Sequence, residues 1–405
     1  MNDMDQKKRT PQVRFKGYTD TWEQRKVSDM FNVTRGYVLA ATLTAENKTE
    51  EMTYPVYSSQ TKDNGLMGYY KDYLYEDAIT WTTDGANAGT VNYRDGKFYC
   101  TNVCGVLLSN KIMASKMVAE ALNNVAKEYV SYVGNPKLMS NVMADIEILI
   151  PTSPLEQEKI SKFFEQLDNL ITLHQRKYDK LLNLKKAMLQ KMFPQNGFLY
   201  PEIRFRGFTD AWEQRKLSEV ATMHARIGWQ NLRTSEFLDS GDYMLITGTD
   251  FDDGVINYST CHFVERKRYE QDKHIQIKNG SILITKDGTL GKVAYVQGLS
   301  MPATLNAGVF NIEIKDGTEV DNKYLFQYLK APFLMNYVDK KATGGTIKHL
   351  NQNILVDFPV LMPSKTEQEA IGEYFSQLDN LITLHQRKLE KLKNIKKSCL
   401  EKMFV

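Results

Sequence analysis

The chain has 405 residues, of which 42% are hydrophobic and 25% charged, and its formal net charge is +3. This length allows two to four domains, and this composition is typical of a folded globular protein. No stretch approaches the roughly 20 apolar residues that span a bilayer, the N-terminal residues lack the apolar core of a signal peptide, and four cysteines are too few for a disulfide framework, so we expect a cytoplasmic protein.

Residues 1–150 begin with a short arm that leads into the first of two variable domains. Asp20 and Glu23 have the spacing of a capping box, in which two side chains satisfy the free amides at the start of a helix. The arm therefore predicts a short helix that carries Trp22.

The first variable domain alternates apolar and polar residues between Gly, Asp and Asn, which predicts short antiparallel strands. One of its loops carries hydroxyl, amide and amine groups beside an aromatic ring, and such groups reach base edges and phosphates. The DNA-binding candidates on this loop are Tyr57, Ser58, Ser59, Lys62 and Asn64. Cys100 and Cys104 have no second pair of metal ligands nearby, which makes a zinc site improbable.

Residues 151–193 form the first long helix. Ser153 with Glu156 repeats the capping-box spacing, and Pro154 occupies the first helical position. Apolar residues then recur at alternating spacings of three and four, which predicts a coiled-coil seam. The predicted seam residues are Ile160, Phe163, Leu167, Leu170, Leu181, Met188 and Met192.

Residues 194–216 are predicted to form a linker and a second arm. Residues 217–361 are predicted to form a second variable domain, and residues 362–405 a second long helix. The arm contains Asp210, Trp212 and Glu213, and the helix begins with Ser364 and Glu367. Its predicted seam residues are Ile371, Tyr374, Leu378, Leu381, Leu392, Cys399 and Met403. The DNA-binding candidates of the second domain are Arg226, Trp229, Gln230, Asn231, Arg233, Lys286, Thr289, Lys292 and Lys348.

The chain repeats its frame but not its inserts. PQVRFKGYTDTWEQRK, from Pro11, returns as PEIRFRGFTDAWEQRK, from Pro201, and QLDNLITLHQRK is identical at 166–177 and 377–388. The stretches between these repeats align poorly. A frame used twice around different inserts indicates one kind of task performed on two different objects.

His174 and His385 occupy equivalent positions in the two long helices. A buried polar residue that sets helix register is a better explanation than a catalytic or metal-binding role. We expect the two imidazoles to lie within about 11 Å, two helical turns, of each other in an in-register antiparallel pair.

No catalytic, cofactor-binding or metal-binding motif is evident. Two alternatives to a non-catalytic DNA-binding role remain open. Asp287, Glu313 and Lys315 have the loose spacing of a metal-dependent nuclease, so a stand-alone sequence-specific nuclease is one alternative. A structural coiled-coil adaptor without a DNA role is the other.

The chain resembles the specificity subunits of type I restriction–modification systems over nearly its whole length. The resemblance is carried by the twin WEQRK arms, the twin QLDNLITLHQRK helices, PVYSSQTKDNGLMGYY, and TGGTIKHLNQN from Thr343 to Asn353. GNPKLMSN, from Gly134, is a poor copy of the last motif, which puts the role of that loop in doubt.

The resemblance implies an α+β fold with two mixed α/β target recognition domains of short antiparallel strands. Two long helices would separate them as an antiparallel coiled coil with a pseudo-two-fold internal duplication. It further implies binding of double-stranded DNA and of two modification subunits, which carry S-adenosylmethionine. Restriction subunits would add chemistry that uses ATP and Mg²⁺. The chain itself would hold no cofactor.

The length of the first helix predicts a spacing between the two domains. Pro154 to Met192 spans about 58 Å, or roughly 17 base pairs of DNA. Four residues inserted after Leu173 would add about 6 Å, and we expect them to lengthen an unread DNA spacer by one or two base pairs.

Overall fold

A computed structural model describes residues 10–60, 62–195, 197–341 and 350–404, without the side chains of Lys62 and Trp229. The chain divides into two compact units, residues 1–176 with 386–405, and residues 177–385. Each unit therefore contains one variable domain and one part of each long helix. Within the described residues, no helix has both the length and the apolar character needed to cross a membrane.

The described residues of the first unit form eight strands, three short helices and part of each long helix. In chain order the elements are β1 (Glu23–Lys26), α1 (Val27–Met30), β2 (Phe31–Arg35), β3 (Tyr54–Tyr57), β4 (Leu66–Tyr70), β5 (Tyr75–Thr82), β6 (Val91–Cys100), β7 (Cys104–Ser109), α2 (Lys116–Val125), α3 (Ser140–Asp145), β8 (Glu147–Ile150) and α4 (Pro154–Lys191).

A six-stranded sheet in the order β2-β7-β5-β6-β3-β4 forms the body of the first domain. Its neighbouring strands are antiparallel except β3 and β6, which are parallel. The sheet and α2 enclose a core that includes Trp81, Leu107 and Leu122. Gly105 is required there because a Cβ at that position would meet the Trp81 ring at 2.1 Å. The prediction of short antiparallel strands holds for this domain except that β3 and β6 are parallel and β6 has ten residues.

The second unit contains more and shorter strands. Its elements are β9 (Glu213–Lys216), α5 (Leu217–Val220), β10 (Ala221–Ala225), β11 (Met244–Ile246), β12 (Phe251–Asp252), β13 (Val255–Ile256), β14 (His262–Phe263), α6 (Arg266–Glu270), β15 (Gln276–Ile277), β16 (Ile282–Thr285), β17 (Val293–Tyr295), β18 (Ala303–Leu305), β19 (Val309–Ile314), α7 (Asn322–Lys330), α8 (Phe333–Lys341), α9 (Gln352–Val356), β20 (Pro359–Met362) and α10 (Lys365–Met403).

Two four-stranded sheets, β10-β19-β16-β17 and β14-β11-β18-β15, form the body of the second domain. This arrangement differs from the single larger sheet of the first domain. Strands β16 and β19 are buried along most of their length. The different sheets agree with the poor alignment of the two inserts.

A two-stranded sheet closes the base of each variable domain. Strand β1 pairs antiparallel with β8, and β9 pairs antiparallel with β20. The prediction that the residues after each capping-box Asp form a short helix carrying the tryptophan was wrong. The four residues EQRK are extended because a distant strand of the same unit pairs with them, and the short helix begins only after them.

An arginine of each arm binds the first turn of a long helix in the same unit. Arg14 Nε and Nη2 donate to Glu156 at 2.6 and 2.8 Å, and Arg204 makes the same two bonds to Glu367, each at 2.7 Å. The predicted reciprocal capping box is therefore wrong for the two glutamates. Their buried carboxylates are taken by a guanidinium whose two N–H groups fit both oxygens.

Aromatic rings repeat the same packing at the base of each unit. Phe164 stacks on Phe404 in the first unit with ring centroids 5.7 Å apart, and Phe375 stacks on Phe193 in the second at 5.9 Å. Trp22 packs against Phe404, and Trp212 packs against Phe193. These duplicated rings are nearly fully buried.

A lysine–aspartate pair joins the two long helices within each unit. Lys396 binds Asp168 at 2.7 Å in the first unit, and Lys185 binds Asp379 in the second. Because Phe404 lies opposite Phe164 while Lys396 lies opposite Asp168, the helix segments of the first unit run antiparallel. The equivalent residues give the same direction within the second unit.

The predicted seam is wrong at Leu170 and Leu381, which are both 44% exposed. Successive helical residues advance by about 100°, so a residue ten positions after Ile160 lies about 80° from it around the helix. A residue eleven positions on lies only about 20° away. Accordingly Ile382, which follows Leu381, is 5% exposed, and the seam continues through it.

The two variable domains differ in the side chains that they place against the lysine–aspartate pair of their unit. In the first unit, Lys116 of α2 binds Glu120 and Asp168 at 2.9 and 2.6 Å, and Lys396 binds the same two carboxylates. In the second unit, the neutral amide of Gln327 donates to Asp379 at 2.9 Å. The first domain thus adds two charges to its pair.

We expect Glu120→Gln to lower the stability of the first unit by roughly 1–3 kcal/mol, because it leaves two lysines with one carboxylate at a largely buried site. A urea titration of the full chain should show an earlier transition. Glu158→Gln, which breaks only an exposed pair with Lys162, should leave it unchanged.

The stability that Asp168 contributes through these ion pairs should also depend on pH. Burial opposes ionisation of Asp168, but the two lysines outweigh it and lower the pKa of this carboxyl. A lowered folded-state pKa stabilises the fold above the ordinary carboxyl range, and this stabilisation is lost as pH falls through the folded pKa. The difference in free energy of unfolding between Asp168→Asn and the natural chain, measured by urea titration at several pH values, should therefore shrink as pH falls through the folded pKa of Asp168; a pH-independent difference would contradict a charge network.

Candidate nucleic-acid interface

The loop between β3 and β4 carries the candidates Ser58, Ser59 and Asn64 directly after Tyr57 of β3, and the side chain of the candidate Lys62 lies outside the described part of the chain. Ser58 donates from its amide to the Gly65 carbonyl at 2.8 Å, and Gln60 donates from its side chain to the Leu66 carbonyl. Tyr57, Ser58 and Ser59 are half-buried, whereas Asn64 is exposed. The loop thus presents short polar groups from a backbone closed by its own hydrogen bonds.

Arg94 of β6 lies beneath this loop and was missed by the sequence analysis. Its Nη2 donates to the Asn64 carbonyl at 2.7 Å, its Nε donates to Thr80 at 3.0 Å, and its guanidinium carbon lies 3.6 Å from the centre of the Tyr57 ring. Burial lowers the pKa of the Arg94 guanidinium. An arginine in the middle of an alternating strand gives no local sign that it supports a loop 30 residues earlier.

A second loop, residues 83–89, lies beside the first. Asn87 donates from its side chain to the Ser59 carbonyl at 3.3 Å, so the two loops share one surface of the first domain. The loop is closed by the Thr82 amide bonding to Thr90 and the Gly89 amide bonding to Thr82. Gly85 and Gly89 have φ of 91° and 81°, which favours glycine.

The second domain contains a closely similar turn between β16 and β17. Its Thr285 amide bonds to the Lys292 carbonyl at 2.9 Å, and the Gly291 amide bonds to Thr285 at 2.9 Å. The structure therefore brings the candidates Lys286, Thr289 and Lys292 onto one turn. Thr289 and Lys292 are exposed, whereas Lys286 is half-buried with Nζ 5.5 Å from the centre of the Phe310 ring.

The two variable domains share these turns, although the poor alignment of their sequences gave no sign of a common feature. Thr82-x-Asp84-Gly85 and Thr285-x-Asp287-Gly288 have the same order, but the turns differ in length by one residue and connect strands whose sequences align poorly. A search for Thr-x-Asp-Gly at the end of an apolar strand would have found both.

One residue of the doubtful GNPKLMSN loop makes the same contact as a described residue of the motif that the loop copies poorly. Leu138 donates from its amide to the Thr83 carbonyl at 2.9 Å, and Leu350 donates to the Lys286 carbonyl at 2.8 Å. Both leucines are buried. The loop therefore rests against the 83–89 turn. Lys348 lies outside the described residues, so its role stays a prediction.

Arg226 and Gln230 do not lie on an exposed surface. Arg226 is 2% exposed and donates from Nε to the Leu305 carbonyl at 2.9 Å and from Nη2 to Thr304 at 3.3 Å. Gln230 is 5% exposed. Both side chains are taken up by the interior of the second domain, which argues against direct contact with DNA. Asn231 and Arg233 are exposed and remain candidates.

The three residues of the nuclease alternative are not assembled. Asp287 follows Thr285, which pairs with Val309 at the start of β19, whereas Glu313 is near the other end of that strand. Four residues of a strand span about 13 Å. Lys315 donates instead to the Ser218 carbonyl, and within the described ranges no group of three or more His, Cys, Asp or Glu could hold a metal ion.

His174 and His385 each lie within a long helix, one in the first unit and one in the second. Their expected proximity stays a prediction.

Comparison with known proteins identifies relatives of both halves. The family described as Type I restriction modification DNA specificity domain matches residues 19–183 and 209–394. The chain is 23% identical to the type I restriction enzyme MjaVIII specificity subunit of Methanocaldococcus jannaschii, over 94% of this chain and 91% of that one. It is 39% identical to the type I restriction enzyme MpnII specificity subunit of Mycoplasma pneumoniae, over 36% of this chain and 45% of that one.

A solved structure shares the fold over almost the full length. The S subunit of a type I restriction-modification system from M. genitalium has a TM-score of 0.67 with 17% identity, covering 98% of this chain and 99% of that chain.

Proposed function

Because this chain belongs to the family of type I restriction modification DNA specificity domains, we propose that it reads a two-part asymmetric DNA target and docks two modification subunits, which methylate adenine there. The first variable domain would read one half of the target and the second domain the other, with an unread spacer between them. The nuclease alternative finds no support, since its three residues are dispersed.

The observation that carries this proposal is a frame whose contacts occur twice around two different domains. The Arg–Glu, Phe–Phe and Lys–Asp contacts are the same in each unit, whereas the sheets and loops differ. Reading two different half-sites requires different surfaces held in an equivalent manner, and DNA-reading proteins match the local dyad of DNA with such pseudo-symmetry. A structural adaptor would not need two dissimilar domains.

The long helices are proposed to form an antiparallel coiled coil related to itself by a pseudo-two-fold axis. The antiparallel direction within each unit and the duplicated contacts support this arrangement. No cofactor is proposed in this chain; S-adenosylmethionine would be held by the modification subunits, and ATP and Mg²⁺ would serve restriction subunits in the full complex.

The purified chain should neither methylate nor cleave DNA when S-adenosylmethionine, Mg²⁺ and ATP are supplied. Together with its modification subunits it should direct methylation to adenines within one two-part sequence. Transfer of radioactive methyl groups to plasmid DNA, followed by sequencing that detects methylated adenine, measures both results. Methyl transfer by the lone chain, or methylation without sequence preference by the complex, would refute the proposal.

A further inference from the structure

The β3–β4 loop holds an uncommon backbone conformation. Asp63, Asn64 and Gly65 have φ of 49°, 53° and 88°, so three successive residues lie in the left-handed region. Only a few per cent of non-glycine residues adopt such a conformation, and it persists where surrounding contacts impose it. The conformation turns the side chain of Asn64 outward, where it is exposed.

Arg94 holds this conformation from below, in addition to the hydrogen bonds that the loop makes within itself. It is 8% exposed, and its partners among the described residues are the neutral groups of Thr80, Asn64 and Tyr57. A buried charge without a carboxylate partner costs free energy. The guanidinium is the one side chain that can bond to Thr80 and the loop carbonyl while stacking on a ring, because its donors form a rigid planar fork.

The side chain of Asn64 is exposed in this arrangement. Within the described residues, its amide makes no hydrogen bond, although its backbone carbonyl is held by Arg94. An exposed asparagine amide on a fixed backbone presents one acceptor and one donor side by side. That pair matches the N6 donor and N7 acceptor of adenine in the major groove.

We propose that Asn64 reads one adenine of the first half-site and that Arg94 is the positioning residue that holds it in place. This rests on the proposed function and adds to it a residue, a base and a support. Ser58 and Ser59, whose hydroxyls are also without hydrogen bonds within the described residues, adjoin this contact but lack its paired donor and acceptor.

The test uses the full chain assembled with its modification subunits and a pool of duplexes randomised through both half-sites. Asn64→Ala should lower discrimination at one base pair of the first half-site by roughly 5- to 150-fold, the value of one bidentate contact. Asn64→Asp should change the preferred base there from adenine to cytosine, because a carboxylate accepts from the cytosine N4 amino group. Both variants should leave the second half-site unchanged.

Arg94→Lys tests the positioning role. Lysine keeps the charge but loses the planar fork, so the melting temperature should fall somewhat and discrimination at the same base pair should fall in a chain that stays folded at the assay temperature, while discrimination at the second half-site stays unchanged. Asn110→Ala is the matched control for Asn64→Ala and should leave both half-sites unchanged. Asn110 is exposed and lies beyond the end of β7 that is remote from this loop.

Each outcome decides the proposal. An unchanged first half-site in both Asn64 variants overturns the reading role, and complete loss of methylation in both does so too, since the second half-site should survive. If Asn64→Asp changes the preferred base while Arg94→Lys keeps full discrimination at that base pair, only the positioning role is refuted. Failure of the natural chain to select any sequence would instead refute the proposed function.

Discussion

A chain in which residues 27–146 are replaced by a second copy of residues 217–358 should direct methylation to a target that contains the second half-site twice, in inverted orientation. The junctions are equivalent in the two units. The Val27 amide bonds to Ile146 at 3.0 Å, and the Leu217 amide bonds to Phe358 at 2.8 Å, each directly above the two-stranded base. The same backbone contact can therefore receive either insert.

The frame should accept the foreign insert because the contact surface already exists in duplicate. The second insert brings Gln327, which binds Asp379 in its own unit, and the first unit offers Asp168 at the equivalent position. Each wrong base pair costs roughly 1–3 kcal/mol, so several mismatches at once should reduce methylation of the original target to background.

Sequencing of methylated adenines across a genome measures the target of this chimera. A reciprocal exchange of the two inserts is the control, and it should leave the target unchanged, because the frame is the same at both ends. Retention of the original target by the chimera, or a change in both halves, would show that the inserts do not read separate half-sites.

Inserting four residues after Leu173 and four after the equivalent Leu384 should lengthen the unread spacer by one or two base pairs. Four residues add about 6 Å and rotate the helix about 40° beyond a full turn, so the seam nearly survives. Two residues at each position rotate it by about 200° and should turn the apolar face outward, which should abolish assembly and methylation.

We now expect the spacer to lengthen only when both helices receive the insertion, whereas the sequence alone led us to expect this result from the first helix by itself. Each helix carries one contact in each unit: Asp168 and Lys185 on α4, Lys396 and Asp379 on α10. The number of residues between the two contacts is the same on both helices. Lengthening α4 alone would displace one residue from its partner by about 6 Å and break that pair.

Mapping of methylated adenines in cells that carry each variant checks the result. The four-residue insertion in α4 alone is the matched control and should lose activity. An active double insertion with an unchanged spacer would show that helix length does not set the distance between the half-sites.

The sequence by itself determined the features that depend on local pattern. Near-identical repeats marked the frame, apolar residues at helical spacing marked the two long helices, and alternation between Gly, Asp and Asn marked the strands of the inserts. These signals are contained within short windows of sequence, and the family resemblance followed from the same repeated segments.

Only the tertiary structure decided which residues meet across long separations. In the folded chain Glu156 binds Arg14 instead of capping its own helix. The residues EQRK form a strand because a distant strand of the same unit pairs with them. Arg226 is buried inside its domain. The fold also places Arg94 under a loop 30 residues earlier. Such choices depend on which groups become buried together, because a buried charge or amide must find its partner wherever the fold supplies one.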